Sequence, residues 1–271
     1  MKTRFVAVCI CLVLFGAVAP IGAAPALTAD PPAQALTPLY LALGDSLAVG
    51  VGASNPSSTG YVPLLLDYLR GTLSCNRGRS QRCPELQLLN LGQAGGTTTS
   101  LLQSQLPAAL EALAARNGDD NPRNDVEVIT VDIGGNDAAV LNEICAGGIT
   151  LQCVQGVQTT FGTIAQNLTT ALAQLRTAAG PDTRIIVMTY FNSLIACDLA
   201  ALAPLVDVLL EGGSGLNGGL NDLIRGTASV VGASVAETYG LLGPGDLVGG
   251  SDCRHPVDSG YRIIADAFTA A

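Results

Sequence analysis

Tryptophan is absent from the 271-residue chain, and histidine and lysine each occur once. Aromatic residues make up only 4%, so the core must be built mainly from Ala, Val, Leu and Ile. Positive charge is also scarce: 13 Lys and Arg stand against 22 Asp and Glu, for a net charge of −9. No basic stripe exists, which argues against a nucleic-acid partner. The acidity equally disfavours electrostatic docking on an anionic membrane. No C-x-x-C pair occurs and a single imidazole is available, so neither a metal centre nor another cofactor is expected.

Long apolar runs are lacking except near the start. Lys2 and Arg4 precede an apolar stretch over residues 5–19, and the small residues Ala23, Ala24 and Ala26 follow. This charged, apolar, small-residue order reads as a secretory signal peptide over residues 1–26. The stretch is shorter than the roughly 20 residues a transmembrane helix needs. An uncleaved anchor is the alternative reading. Residues 27–38 (LTADPPAQALTP) form a Pro-rich lead-in, and residues 39–271 read as one domain with a large buried core. The expectation is a secreted monomer with no stable membrane span.

Setting aside Cys9 and Cys11 leaves Cys75, Cys83, Cys145, Cys153, Cys197 and Cys253. An even number in an exported chain predicts three disulfides. Spacing favours Cys75 with Cys83 and Cys145 with Cys153, each closing a short loop. Cys197 and Cys253 then remain as a long-range pair.

Apolar, β-rich runs lie at residues 39–43, 86–91, 126–133 and 184–190, with a weaker one at 233–237. Helical spacing appears between them, for example over 98–116 and 161–179, and again over 260–268. Strands alternating with helices predict a three-layer α/β/α sandwich around a five-stranded parallel sheet. Ligands of such sheets bind beyond the carboxyl ends of the strands. The segments expected there are Gly44-Asp45-Ser46-Leu47, then residues 92–98 (GQAGGTT), then Gly134-Gly135-Asn136-Asp137. After the last strand comes Asp252-Cys253-Arg254-His255-Pro256.

These residue types suit acyl transfer. A serine hydroxyl needs a neighbouring base, and His255 is the only imidazole. Asp252, three residues earlier, can fix its tautomer and balance the imidazolium. Attack of Ser46 on an ester creates an oxyanion, for which the N–H groups of Ser46 and Gly95 and the Asn136 amide are candidate donors. Asp137 is expected to cap the helix after Asn136.

The four segments, GDSLAVG (44–50), NLGQAGGTT (90–98), IGGND (133–137) and DCRHP (252–256), resemble blocks I, II, III and V of the SGNH hydrolases, also called GDSL esterases and lipases. The likeness runs in family order from residue 39 to 268. It implies Ser46 as nucleophile, Asp252 and His255 as the rest of the triad, and Gly95 and Asn136 as oxyanion donors, with Gly92 or Gly96 as alternatives to Gly95. It further implies a flavodoxin-like sheet, a shallow site and a small-molecule, lipid or carbohydrate ester substrate. A carboxylesterase or lipase is the first reading. A carbohydrate deacetylase or lysophospholipase uses the same chemistry, and an inactive cell-surface binding domain is the rival from another class.

Two patterns are set aside. Residues 213–218 match G-x-G-x-x-G, but late in the chain and after a run (199–210) that fits a helix better than a strand. The G-x-S-x-G elbow of α/β-hydrolases is missing.

Overall fold

A computed structural model describes residues 37–74, 83, 85–119 and 121–271. The expected signal segment and most of the lead-in lie outside the described residues, as does Cys75.

Five strands form the central sheet: β1 (Leu39–Gly44), β2 (Gln87–Asn90), β3 (Val126–Asp132), β4 (Arg184–Met188) and β5 (Ser234–Ala236). All are parallel, in the order β2-β1-β3-β4-β5. All six residues of β1 are buried. β2, at the sheet edge, has none buried, so its apolar run does not mark a doubly covered strand. Helices flank the sheet. Tyr61–Thr72 packs on Asp258–Ala270, where the Tyr61 and Phe268 rings stack at 4.9 Å. Leu106–Arg116, Leu151–Ala179 and Leu220–Val230 form a second contiguous set.

Several expected elements differ in detail. The segment 98–116 is not one regular helix: a wider π-type turn over Leu101–Gln105 precedes Leu106–Arg116. The helix expected at 161–179 begins at Leu151, where Thr150 caps the Cys153 N–H. Residues 252–256 do not directly follow the last strand of the sheet. They form β7 (Asp252–Pro256), paired antiparallel with β6 (Leu247–Gly249) in a separate two-stranded ribbon. The glycine-rich stretch 213–218 joins two helices, Ala203–Glu211 and Leu220–Val230, and so lacks the strand a dinucleotide fingerprint requires.

Two disulfides follow the expected pairing, Cys145–Cys153 and Cys197–Cys253. Cys83 is buried and also disulfide-bonded. Cys145 and Cys153 sit in a small apolar cluster with Leu141, Val157, Leu209 and Leu216, apart from the main core. No helix among the described residues is long and apolar enough to cross a membrane.

Candidate active site

The strand order reverses between β1 and β3: the chain steps outward from β1 to β2, then returns across β1 to β3. Crevices at such reversals are where parallel sheets bind ligands. Ser46 begins a short helix (Ser46–Val49) directly beyond β1, and the Gly134–Asn136 turn lies directly beyond β3. Asp45 caps the Ser46 helix by accepting the Leu47 N–H at 2.9 Å. Such a cap places Ser46 at the first helical position, where backbone N–H groups have no partner within the helix. The Ser46 N–H accordingly has no acceptor among the described residues.

β7 brings the imidazole to this serine. His255 Nε2 lies 2.9 Å from Ser46 Oγ, and its Nδ1 lies 2.8 Å from Asp252 Oδ2. An ionised carboxylate only accepts, so Nδ1 carries the proton and Nε2 is left to accept from the serine hydroxyl. Burial pushes the Asp252 carboxyl up. The hydrogen bonds from His255 and the Arg254 and His255 backbone outweigh it and hold Asp252 below the usual carboxylate range. The Cys197–Cys253 disulfide fastens β7 beside the imidazole, and Ser193 Oγ donates to the Cys253 carbonyl at 2.6 Å.

The other two predicted residues lie on the same edge. The three candidate glycines differ in their hydrogen bonding. Gly92 N–H donates to Asn90 Oδ1 and Gly96 N–H to the Gln93 carbonyl, whereas Gly95 N–H has no acceptor among the described residues. Gly95 is exposed with φ +75°, a conformation that favours glycine. Asn136 Nδ2 donates one proton to the Gly96 carbonyl at 2.9 Å, which ties the two turns together. Asp137 does not cap the helix after Asn136. Its carboxylate takes the Thr98 N–H at 2.9 Å and the Thr98 hydroxyl at 2.6 Å, reaching back to the glycine turn.

Beneath the serine lies a polar layer that motif reading missed. Asp132, fully buried at the end of β3, accepts the Asp45 N–H at 3.3 Å, the Ala48 N–H at 3.2 Å and the Tyr61 hydroxyl. Asp45, also buried, accepts the Tyr190 hydroxyl at 2.9 Å. Burial, then the charge of Asp45, pushes the Asp132 carboxyl well above the usual range. Burial also raises Asp45, against the pull of the Leu47 N–H and the Tyr190 hydroxyl. Gln105, turned inward by the π-type turn, closes on Gly44 from both sides: Oε1 accepts its N–H at 2.8 Å and Nε2 donates to its carbonyl at 2.9 Å. A Cβ at Gly44 would meet Asp132 Oδ1 at 2.1 Å, so no other residue fits there. The sequence signal for this layer was the Asp ending β3, which reads as an ordinary strand terminus.

Ser46, Asn136, Asp252 and His255 line a cleft of about 560 Å³. Its volume falls in the range of small-molecule sites. Its apolar wall includes Phe191, Leu194, Val206, Leu209, Leu210 and Leu220. Among the described residues no cluster of three or more His, Cys, Asp or Glu is placed to hold a metal.

Comparison with known proteins agrees with this architecture. The model of the GDSL-like Lipase/Acylhydrolase family matches residues 42–263. No curated protein matches the chain. Among solved structures, the lipase Lip_vut3 from a goat rumen metagenome is 20% identical with a TM-score of 0.56, covering 86% of this chain and 97% of that one. Phospholipase A1 from Streptomyces albidoflavus NA297 is 19% identical with a TM-score of 0.53, covering 86% and 98%. At these identities the structures speak for a shared fold. The family match, spanning most of the chain and all four motif segments, places this protein in the GDSL-like lipase and acylhydrolase family, the SGNH hydrolases.

Proposed function

We propose that the protein is an exported hydrolase of carboxylic esters that works through an acyl-enzyme on Ser46. The observation that carries this reading is the continuous chain from Ser46 Oγ to His255 Nε2 (2.9 Å) and from His255 Nδ1 to Asp252 (2.8 Å), set in an apolar cleft. In this reading Nε2 takes the hydroxyl proton as Oγ attacks the ester carbonyl. The oxyanion is received by the N–H groups of Ser46 and Gly95 and the remaining amide proton of Asn136. The same Nε2 then protonates the departing alkoxide. A water molecule, deprotonated by His255, releases the acid and restores Ser46.

The apolar wall favours an acyl chain over an acetyl group, because an acetyl ester would leave most of it wet. Burial of such surface is worth about 0.8 kcal/mol per methylene. An esterase or lipase reading is therefore preferred to a deacetylase. Export, with residues 1–26 as signal peptide, rests on the sequence pattern and agrees with the disulfides.

The test is covalent labelling with a fluorophosphonate, followed by mass mapping. Labelling is expected on Ser46 and lost in Ser46→Ala. A folded wild-type protein that takes no label, and hydrolyses no nitrophenyl ester from acetate to laurate, would contradict the proposal.

A further inference from the structure

The cleft has a chemical polarity that the ester-hydrolase reading alone does not use. Ser251 and Arg254, beside and within β7, and Ser193, which donates to the Cys253 carbonyl, give it polar lining, whereas Ala138, Ala139 and Val206 are among its apolar lining residues. Arg254 is the only cationic residue among its lining residues, in a chain whose net charge is −9. Every other charged group there is engaged. Asp45 is capped by Leu47 and Tyr190, and both Asp252 oxygens are taken by His255 and by the β7 backbone. The exposed Arg254 guanidinium, in contrast, makes no hydrogen bond or ion pair among the described residues.

The chemistry says which half of a substrate meets it. His255 Nε2 must return its proton to the alkoxide oxygen as the C–O bond of the tetrahedral intermediate breaks, so the leaving group departs past the imidazole. Arg254 is the residue immediately before His255 on β7, and Cys253, on its other side, is fastened to Cys197. Arg254 lines the cleft with a guanidinium that is unbonded among the described residues, and such a group offers its planar fork to an anion carried on the leaving group.

Resting on the proposed ester hydrolysis, we infer that Arg254 selects acyl esters whose alcohol portion carries an anion, a phosphate or a carboxylate. The apolar wall takes the acyl chain and the guanidinium takes the charge. The shared requirement is negative charge beside the scissile oxygen, and the two kinds of anion are separate arms of the test.

The experiment compares three monomeric laurate esters of one chain length, below their aggregation concentrations: 1-lauroylglycerol, 1-lauroylglycerol 3-phosphate and lauroyl lactate. The quantity read is the ratio of kcat/KM for each anionic ester to that for the neutral one. The wild type is expected to favour at least one anionic ester about tenfold or more, the size of one charge-assisted hydrogen bond. That ratio should fall toward one in Arg254→Gln, drop below one in Arg254→Glu, and survive in part in Arg254→Lys. High salt should shrink it in the wild type and in Arg254→Lys but leave it unchanged in Arg254→Gln, because the contact is an exposed charge pair. A wild-type ratio of one or less, or an unchanged ratio in Arg254→Gln, overturns the inference while leaving ester hydrolysis standing. Hydrolysis of none of the three would instead remove the reading on which it rests.

Discussion

The Tyr190 hydroxyl donates to Asp45 Oδ2 across 2.9 Å, joining the end of β4 to the residue that caps the Ser46 helix. Tyr190 also lines the cleft, and its ring fills the space above Gly135, where an added Cβ would meet it at 2.6 Å. Asn221 fixes its backbone from both sides, at 2.7 and 2.8 Å. One side chain thus touches the Asp45–Ser46 turn and the Asn136 turn and lines the cleft.

Tyr190→Phe keeps the ring and removes that bond. Asp45 is then left with fewer donors while buried, which should cost about 1–3 kcal/mol of stability in urea denaturation. The kcat should fall more than KM rises, because the lost bond runs to Asp45 beside the serine while the ring that lines the cleft stays in place. A variant as stable and as active as the wild type would mean that the hydroxyl holds nothing.

Asp132→Asn tests the raised carboxyl of Asp132. A carboxyl raised by burial binds a proton in the folded protein that the unfolded chain releases above about pH 4. Stability from that group is full below the unfolded pKa and is lost as pH climbs toward the folded one. The asparagine keeps the shape without titrating. Relative to it, the wild type should lose stability as pH rises above the ordinary carboxylate range, at up to about 1.4 kcal/mol per pH unit. Parallel stability curves for the two proteins would show Asp132 already ionised when folded.

Cys197→Ser with Cys253→Ser releases β7. The bridge spans a sequence separation of 56, and closing a loop of that size is worth about 4 kcal/mol. Well below the melting temperature the variant should stay folded by circular dichroism yet lose activity. Displacement of the imidazole by about 1 Å is enough for a loss on the order of a hundredfold. Full activity in the folded variant would assign the disulfide to stability alone.

Val206→Trp narrows the apolar wall. The preference along a nitrophenyl ester series should move toward shorter chains, each excluded methylene lowering kcat/KM by roughly fourfold. An unshifted optimum would place the acyl chain elsewhere.

The motifs were legible because each is local. A strand ending in Gly-Asp-Ser, a glycine turn, a Gly-Gly-Asn turn and an Asp-x-x-His-Pro segment carry their own backbone geometry, and alternating strands and helices settle which edge the first three share. Even the disulfide pairs at Cys145–Cys153 and Cys197–Cys253 followed from spacing. The π-type turn over Leu101–Gln105 did not, because its apolar spacing is that of an ordinary helix and only the demand of Gly44 for partners turns Gln105 inward. The ribbon β6–β7 was likewise hidden, since residues 247–256 are too short and polar to announce a strand pair.

Sequence by itself determined the fold class, the family and the candidate residues Ser46, Asp252 and His255. Tertiary structure alone decided what lies under and around them. Tyr190 meets Asp45 over 145 positions and Asp132 meets the same turn over 87. Contacts at such separations leave no trace in local pattern, because they exist only once the sheet order has brought β1, β3 and β4 side by side. The same packing left the Arg254 guanidinium without a partner among the described residues, in the lining of an apolar cleft.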